Sequence, residues 1–256
     1  MTPLHTETAG TGPPLVLAHG FTQTGRLWGP CGASLVRSHR LVRVDLPGHA
    51  GSSGVAADLV QGAELLVDAG VAATDGEPFD LLGYSLGGRF ALHAALARPE
   101  QVRRLILIGT TPGITDEAAR AERRARDEAL ADELTESGDL EGFVRRWLAA
   151  PMFAGLEDPD LAERLRNTAT GLASSLRLAG TGTQRPLWDR LGEVAPPVLV
   201  LAGAEDARFV ATGAALARTV PAGVLSLVPG AGHAAHLAQP ALAARLVEAF
   251  LTAQPH

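Results

Sequence analysis

Short apolar runs punctuate the chain, and between them apolar positions recur at helical spacing. The runs fall at 15–18, 41–45, 79–83, 105–109, 198–202 and 224–228. Most are apolar without alternation, as strands buried on both faces are. Amphipathic stretches at 59–73, 86–98, 210–219 and 241–252 lie between them. Strand and helix in turn predict an α/β fold, a mostly parallel sheet flanked by helices on both faces.

The alternation stops between 115 and 190. That stretch has no strand pattern, only charged helical segments at 117–134, 140–149, 161–168 and 171–178. It predicts a helical cap inserted into a core made of 1–114 and 191–256. The cap segment holds 11 Arg against 15 Asp and Glu. An anion site within it must therefore come from placement and not from bulk charge. Gly180-Thr181-Gly182 is no phosphate loop, because no strand precedes it. No repeat or low-complexity tract is present.

Composition narrows the function classes. The chain has 256 residues, 46% of them hydrophobic, enough for a sizeable core. A net charge of −6 argues against nucleic acid as a partner. All 22 basic residues are Arg, so Schiff-base chemistry through Lys is excluded. The lone Cys31 allows no internal disulfide and no cysteine-rich zinc site. No leader-like N-terminus and no apolar stretch of membrane-spanning length occurs. The expectation is a cytoplasmic enzyme with no membrane contact; oligomeric state is left open.

Four loops carry candidate chemistry. Gly83-Tyr84-Ser85-Leu86-Gly87 follows the 79–83 run and opens the 86–98 helix. Strand, sharp turn, then helix is the setting in which Gly-x-Ser-x-Gly presents a serine hydroxyl on an α/β-hydrolase sheet. His19-Gly20-Phe21 follows the first apolar run, where the Phe21 N–H can join that of Leu86 in an oxyanion hole. Asp206, after the 198–202 run, is the candidate to orient a histidine. Glu205 is its alternative, and a plain helix N-cap is the bland role for Asp206. His233 follows the last run and completes the chain order Ser, Asp, His used by this fold. His236 pairs with His233 too weakly to suggest a metal site, and His19 is expected to be structural.

Further motifs sharpen the picture. They are Asp45-Leu46-Pro47-Gly48-His49, Arg89 after the elbow, Thr111-Pro112-Gly113-Ile114, Ala121-Glu122-Arg123, Trp147 with Pro151-Met152-Phe153, Arg166-Asn167, Gly180-Thr181-Gly182-Thr183-Gln184, Leu187-Trp188 and Asp206-Ala207-Arg208-Phe209. With these motifs the chain resembles, over nearly its whole length, the MenH-type 2-succinyl-6-hydroxy-2,4-cyclohexadiene-1-carboxylate synthases of menaquinone biosynthesis. Two departures are Leu148 after Trp147 and Ala50 after His49.

That resemblance implies a lyase and not a hydrolase. The substrate would be a tricarboxylate, a cyclohexene bearing a succinyl ketone and an enolpyruvyl ether. Ser85, helped by His233 and Asp206, would act as the base that triggers loss of pyruvate. The resemblance implies no metal and no cofactor. It makes Tyr84, Arg89, Arg123, Trp147 and Arg166 substrate-binding residues. Arginine forks suit carboxylates, and Arg89 lies one turn beyond Ser85. The bland alternatives are a surface ion pair with Asp127 for Arg123 and core packing for Trp147. A serine esterase or C–C bond hydrolase with the same triad is the competing reading.

Overall fold

The computed structural model describes residues 2–154, 156 and 160–253. Its seven strands are β1 (Thr6–Ala9), β2 (Pro14–Ala18), β3 (Arg40–Val44), β4 (Phe79–Tyr84), β5 (Val102–Ile108), β6 (Val198–Gly203) and β7 (Gly223–Val228). They form one sheet in the order β1-β3-β2-β4-β5-β6-β7. Only β1 runs antiparallel to its neighbour. Each of the six apolar runs becomes a strand, with ends shifted by a few residues. β1 escaped the sequence pattern because Thr6-Glu7-Thr8-Ala9 is a half-exposed edge strand with no apolar run.

Every residue of β4 and β6 is buried, which is why these strands read as unbroken apolar runs. Two clusters of buried side chains cover the sheet faces. One is built on Phe79, Phe90 and Leu81, the other on Leu15, Leu82 and Ile106. Helices α1 (Gly29–Leu35), α2 (Leu59–Ala73), α3 (Leu86–Ala97), α8 (Ala207–Thr219), α9 (Ala235–Ala238) and α10 (Pro240–Thr252) supply much of this packing. At the start of α2, Asp58 accepts from Val60 N and Gln61 N, and the Gln61 side chain answers to Asp58 N. This reciprocal cap fixes the helix start. Helix α8 begins at Ala207 and not at 210, because Asp206 caps it through Phe209 N at 3.1 Å.

Between β5 and β6 lie α4 (Glu117–Ser137), α5 (Leu140–Leu148), α6 (Leu161–Arg164) and α7 (Ala169–Ala179). They share a small core of their own, including Leu134, Phe143, Leu172 and Leu176. The expected 161–168 helix is a single turn. Entry and exit of this helical layer are strapped together: Leu187 N donates to Pro112 O at 2.8 Å, and Trp188 Nε1 to Gly113 O at 3.0 Å.

Strand β2 has β3 on one side and β4 on the other. The chain therefore reverses its direction of travel across the sheet at β2. Such a switch point leaves a crevice at the carboxyl ends of the strands, where ligands bind in open α/β sheets. Ser85 follows β4 and Phe21 follows β2, so both sit at that crevice.

Candidate active site

Ser85 occupies the turn from β4 into α3 with φ 51° and ψ −106°. A non-glycine residue there stores strain of about 1–3 kcal/mol. The surroundings enforce it. Ser85 N donates to Ile108 O at 2.9 Å, and Gly87 N to His19 O at 3.0 Å. A Cβ at Gly87 would overlap the Ala18 carbonyl, and one at Gly88 the Thr110 side chain. The glycines thus let the turn lie against β2 while the hydroxyl faces the crevice. Leu86 opens α3, so its N–H has no acceptor within the helix.

His233 Nε2 lies 3.0 Å from Ser85 Oγ. Its Nδ1 is 3.5 Å from Asp206 Oδ2, an ion-pair distance that is long for a hydrogen bond. The contact with His233 holds the Asp206 carboxyl below the usual carboxylate range, against the opposing effect of burial. Asp206 is therefore an anion at neutral pH and steadies a positive charge on His233. Asp206 combines both roles the sequence offered, helix cap and histidine partner, while Glu205 is exposed. His233 is packed by the rings of Phe209, Tyr84 and Phe153 at 4.5, 5.4 and 6.1 Å.

The loop after β2 brings Phe21 to the same crevice. Gly20 N donates to Gln23 Oε1 at 2.8 Å, and Gln23 N returns to Gly20 O at 3.1 Å. His19 is structural. Its Nε2 accepts from Leu46 N at 3.1 Å, which leaves the proton on Nδ1 to donate to Gly20 O at 2.8 Å. Burial lowers its pKa to about 4, so it stays neutral. His236 is likewise buried, between Trp28 and Tyr84, with its pKa pushed down to about 3.

Above Ser85 lies a cavity of about 300 Å³. Phe21, Ser85, Leu86, Arg89, Arg123, Trp147 and His233 all line it, as do Arg126, Asp127, Arg208 and Phe209. Four arginines and one carboxylate in so small a space give it a net cationic lining. Arg89 is buried and donates from Nη1 to Ala179 O at 2.6 Å. Burial, then Arg123 beside it, push its pKa down to about 9, which leaves it cationic at pH 7. Arg123 reaches the cavity while its Nε donates to Asp127 Oδ1 at 2.8 Å. The bland ion pair and the cavity position therefore coexist. Trp147 stacks edge-on against Phe21 at 5.0 Å, forming one wall.

Two expected residues sit elsewhere. Tyr84 is buried against Gly20 and the two histidines, and it borders a smaller cavity beside Ser85. Arg166 does not reach either space. It is exposed, paired with Glu163 at 3.0 Å, and lies toward His5, Glu7 and Asp45. Because α6 ends at Arg164, residue 166 no longer continues the helical row that would aim it at the serine. Arg164 takes that direction instead: it is buried, donates to Thr22 Oγ1 at 2.7 Å, and borders the smaller cavity with Gln23, Tyr84 and Ser85. Sequence reasoning also gave no role to Arg208. Its position two residues after Asp206 was the available signal.

A Ser–His–Asp triad at the end of a parallel-sheet strand, roofed by helices, defines a class. The chain belongs to the alpha/beta hydrolase family, whose profile matches residues 15–246. Its relatives are more specific. A Klebsiella pneumoniae protein named 2-succinyl-6-hydroxy-2,4-cyclohexadiene-1-carboxylate synthase is 34% identical over 90% of this chain and 90% of its own. A Bacillus subtilis protein bearing that name provisionally is 36% identical over 93% of this chain and 90% of its own. The solved structure of MenH from S. aureus superposes with a TM-score of 0.88 at 31% identity, covering 98% of both chains. An esterase from Exiguobacterium antarcticum, at 18% identity and a TM-score of 0.81, shares the fold. No helix among the described residues is long and apolar enough to cross a membrane.

Proposed function

We propose that the chain is a carbon–oxygen lyase. It would eliminate pyruvate from 2-succinyl-5-enolpyruvyl-6-hydroxy-3-cyclohexene-1-carboxylate to give 2-succinyl-6-hydroxy-2,4-cyclohexadiene-1-carboxylate. The carrying observation is the pairing of an assembled triad with Arg89 and Arg123 in one cavity. A neutral ester has no use for two guanidinium forks, whereas a tricarboxylate does. The names of the relatives above point the same way.

In this reading Ser85 is a base. Its Oγ takes the ring proton alpha to the succinyl ketone as its own proton passes to His233 Nε2. The electron pair from that C–H bond forms a ring double bond. The existing ring double bond shifts, and the C–O bond to the enolpyruvyl group breaks. The leaving enolate takes up a proton and becomes pyruvate, so no water is consumed and no acyl-enzyme forms. As the proton leaves, negative charge builds on the ketone oxygen. In this reading the N–H groups of Phe21 and Leu86, two residues that line the cavity, receive that oxygen, since donors fixed in advance act on just such developing charge. No cofactor enters the sequence. Residues 115–190 would serve as a cap whose Arg123 and Trp147 position the substrate over the core of 1–114 and 191–256. Of Arg164 and Arg166, it is Arg164 that borders the space beside the serine.

The test is release of pyruvate by the purified protein from the cyclohexene substrate, followed through lactate dehydrogenase. The expected result is turnover that Ser85→Ala abolishes. A folded protein that releases no pyruvate, yet hydrolyses small carboxylic esters with a burst, would replace the lyase by an esterase.

A further inference from the structure

The loop carrying Phe21 is held from above as well as from the sheet. Its outward carbonyls, Thr22 O and Gln23 O, both face the Asn167 side chain just beyond α6. Asn167 Nδ2 lies 3.0 Å from Thr22 O, 3.4 Å from Gln23 O and 2.8 Å from Arg164 O. Its Oδ1 accepts from Ala50 N at 3.0 Å. The side chain is only 4% exposed. One amide therefore joins three segments: the Phe21 loop, the turn after His49, and the end of α6. Both bridged turns are strained, with Thr22 at φ 65° and Ala50 at φ 38°. Residues other than glycine keep such backbone angles only where the surroundings impose them.

Two neighbours reinforce the grip. Arg164 Nη1 donates to Thr22 Oγ1 at 2.7 Å, and Thr24 Oγ1 donates to Glu163 Oε1 at 2.8 Å. None of these contacts touches the cavity arginines Arg89 and Arg123.

We propose that Asn167 is a positioning residue which locks the Phe21 N–H in its oxyanion-binding direction by tying that loop to the helical roof. The proposal rests on the reading of Phe21 as an oxyanion donor. It adds that the donor's direction is set by the roof. The chemistry requires an amide. Asp would keep an acceptor for Ala50 N–H but set a negative charge against three carbonyls. Leu matches the volume and offers no hydrogen bond. Either change frees the loop to rotate the Phe21 N–H away.

The experiment labels Ser85 with a p-nitrophenyl alkylphosphonate. Oγ bonds to phosphorus, p-nitrophenolate leaves, and the Oγ proton passes to His233. The negative oxygen that remains on phosphorus sits in the oxyanion hole, so the labelling rate reports that hole whatever the natural substrate is. For Asn167→Leu the second-order labelling rate is expected to fall at least tenfold, with pyruvate binding, read by isothermal titration calorimetry, unchanged within twofold. Asn167→Asp is expected to fall similarly, and it keeps the test open if the Leu variant fails to fold. A melting temperature lowered with a labelling rate within twofold of the parent's would reduce Asn167 to a structural tie and overturn the proposal. Normal labelling losses without any pyruvate-forming activity in the parent would leave the positioning role standing and reject the lyase reading alone.

Discussion

The floor and the roof of the cavity present arginines to the same space by different means. Arg89 rises from the floor on α3, buried, with its fork pinned to the backbone oxygen of Ala179. Arg123 hangs from the roof on α4, a third exposed, steadied by a side chain one turn away. At the elbow the floor is closed by contacts that tolerate no added atom. The roof rests on its own small apolar core and on side-chain pairs, several of them at the surface. An elbow glycine cannot gain a side chain without moving the sheet, whereas the exposed ion pairs of the roof can change and leave the fold. The difference separates what the sheet requires from what the surface of the roof can vary.

Matched glycine substitutions test that contrast most severely. In Gly87→Ala the new Cβ would overlap the carbonyls of Ala18 and His19, backbone atoms that cannot step aside. A loss above about 4 kcal/mol is expected, enough to leave little folded protein. Gly138 ends α4 at φ 64° with nothing within 4 Å of an added Cβ. Gly138→Ala should cost only the left-handed backbone penalty, about 1–2 kcal/mol. Urea midpoints for the two variants decide the matter. Equal losses would mean that the roof is as constrained as the floor.

Acid should strike the floor before the roof. His19, His49 and His236 lie buried on the core side, with pKa values lowered by burial to about 4, 3 and 3. Their folded values lie below the ordinary value of 6.5. The stability they confer is therefore complete above that pH and is lost as pH falls toward 4. Each histidine that must be neutral to stay folded adds up to about 1.4 kcal/mol per pH unit to the slope. The unfolding free energy should thus fall steeply between pH 6 and 4. A flat profile across that window would show that these histidines take up protons in the folded state.

The floor was the legible part of the sequence. Its strands are buried on both faces, so apolar runs marked six of the seven, and the elbow announced itself through glycines at fixed spacing. The edge strand β1 and the short helix α1 were invisible because neither carries a long apolar or periodic pattern. The roof was readable as helical but not in detail. Whether α6 runs one turn or two depends on packing against the Thr22 loop, a contact between residues 142 apart in sequence. That choice moved the inward cation from Arg166 to Arg164. Arg123 was found through family resemblance, since its spacing from Asp127 alone describes an ordinary surface pair.

Arg123 now offers a sharper probe of roof against floor. If Arg123 binds substrate as proposed, its loss removes a charged hydrogen bond worth about 2–3 kcal/mol in kcat/KM. It also strips the buried Asp127 of its nearest cation, leaving Gly182 N at 3.2 Å as the remaining donor. The double variant Arg123→Ala/Asp127→Asn separates the two effects. If the arginine binds substrate, kcat/KM stays low in the double variant while the melting temperature recovers. Recovery of both would make Arg123 no more than the counter-ion of Asp127.

The smallest effect is expected where the sequence and the structure part company. Arg166 is exposed, and its pair with Glu163 spans one helical turn at the surface. Exposed pairs of this kind contribute about 0–1 kcal/mol. Arg166→Ala should therefore leave kcat and KM within twofold and shift the melting temperature little. Arg164→Ala removes a buried guanidinium that grips Thr22 beside the serine, so its kinetic cost should exceed that of Arg166→Ala by tenfold or more. The two residues share a charge and lie two positions apart, so the comparison isolates direction from chemistry. A large loss for Arg166→Ala would mean that in the working enzyme α6 extends beyond Arg164 and turns residue 166 inward.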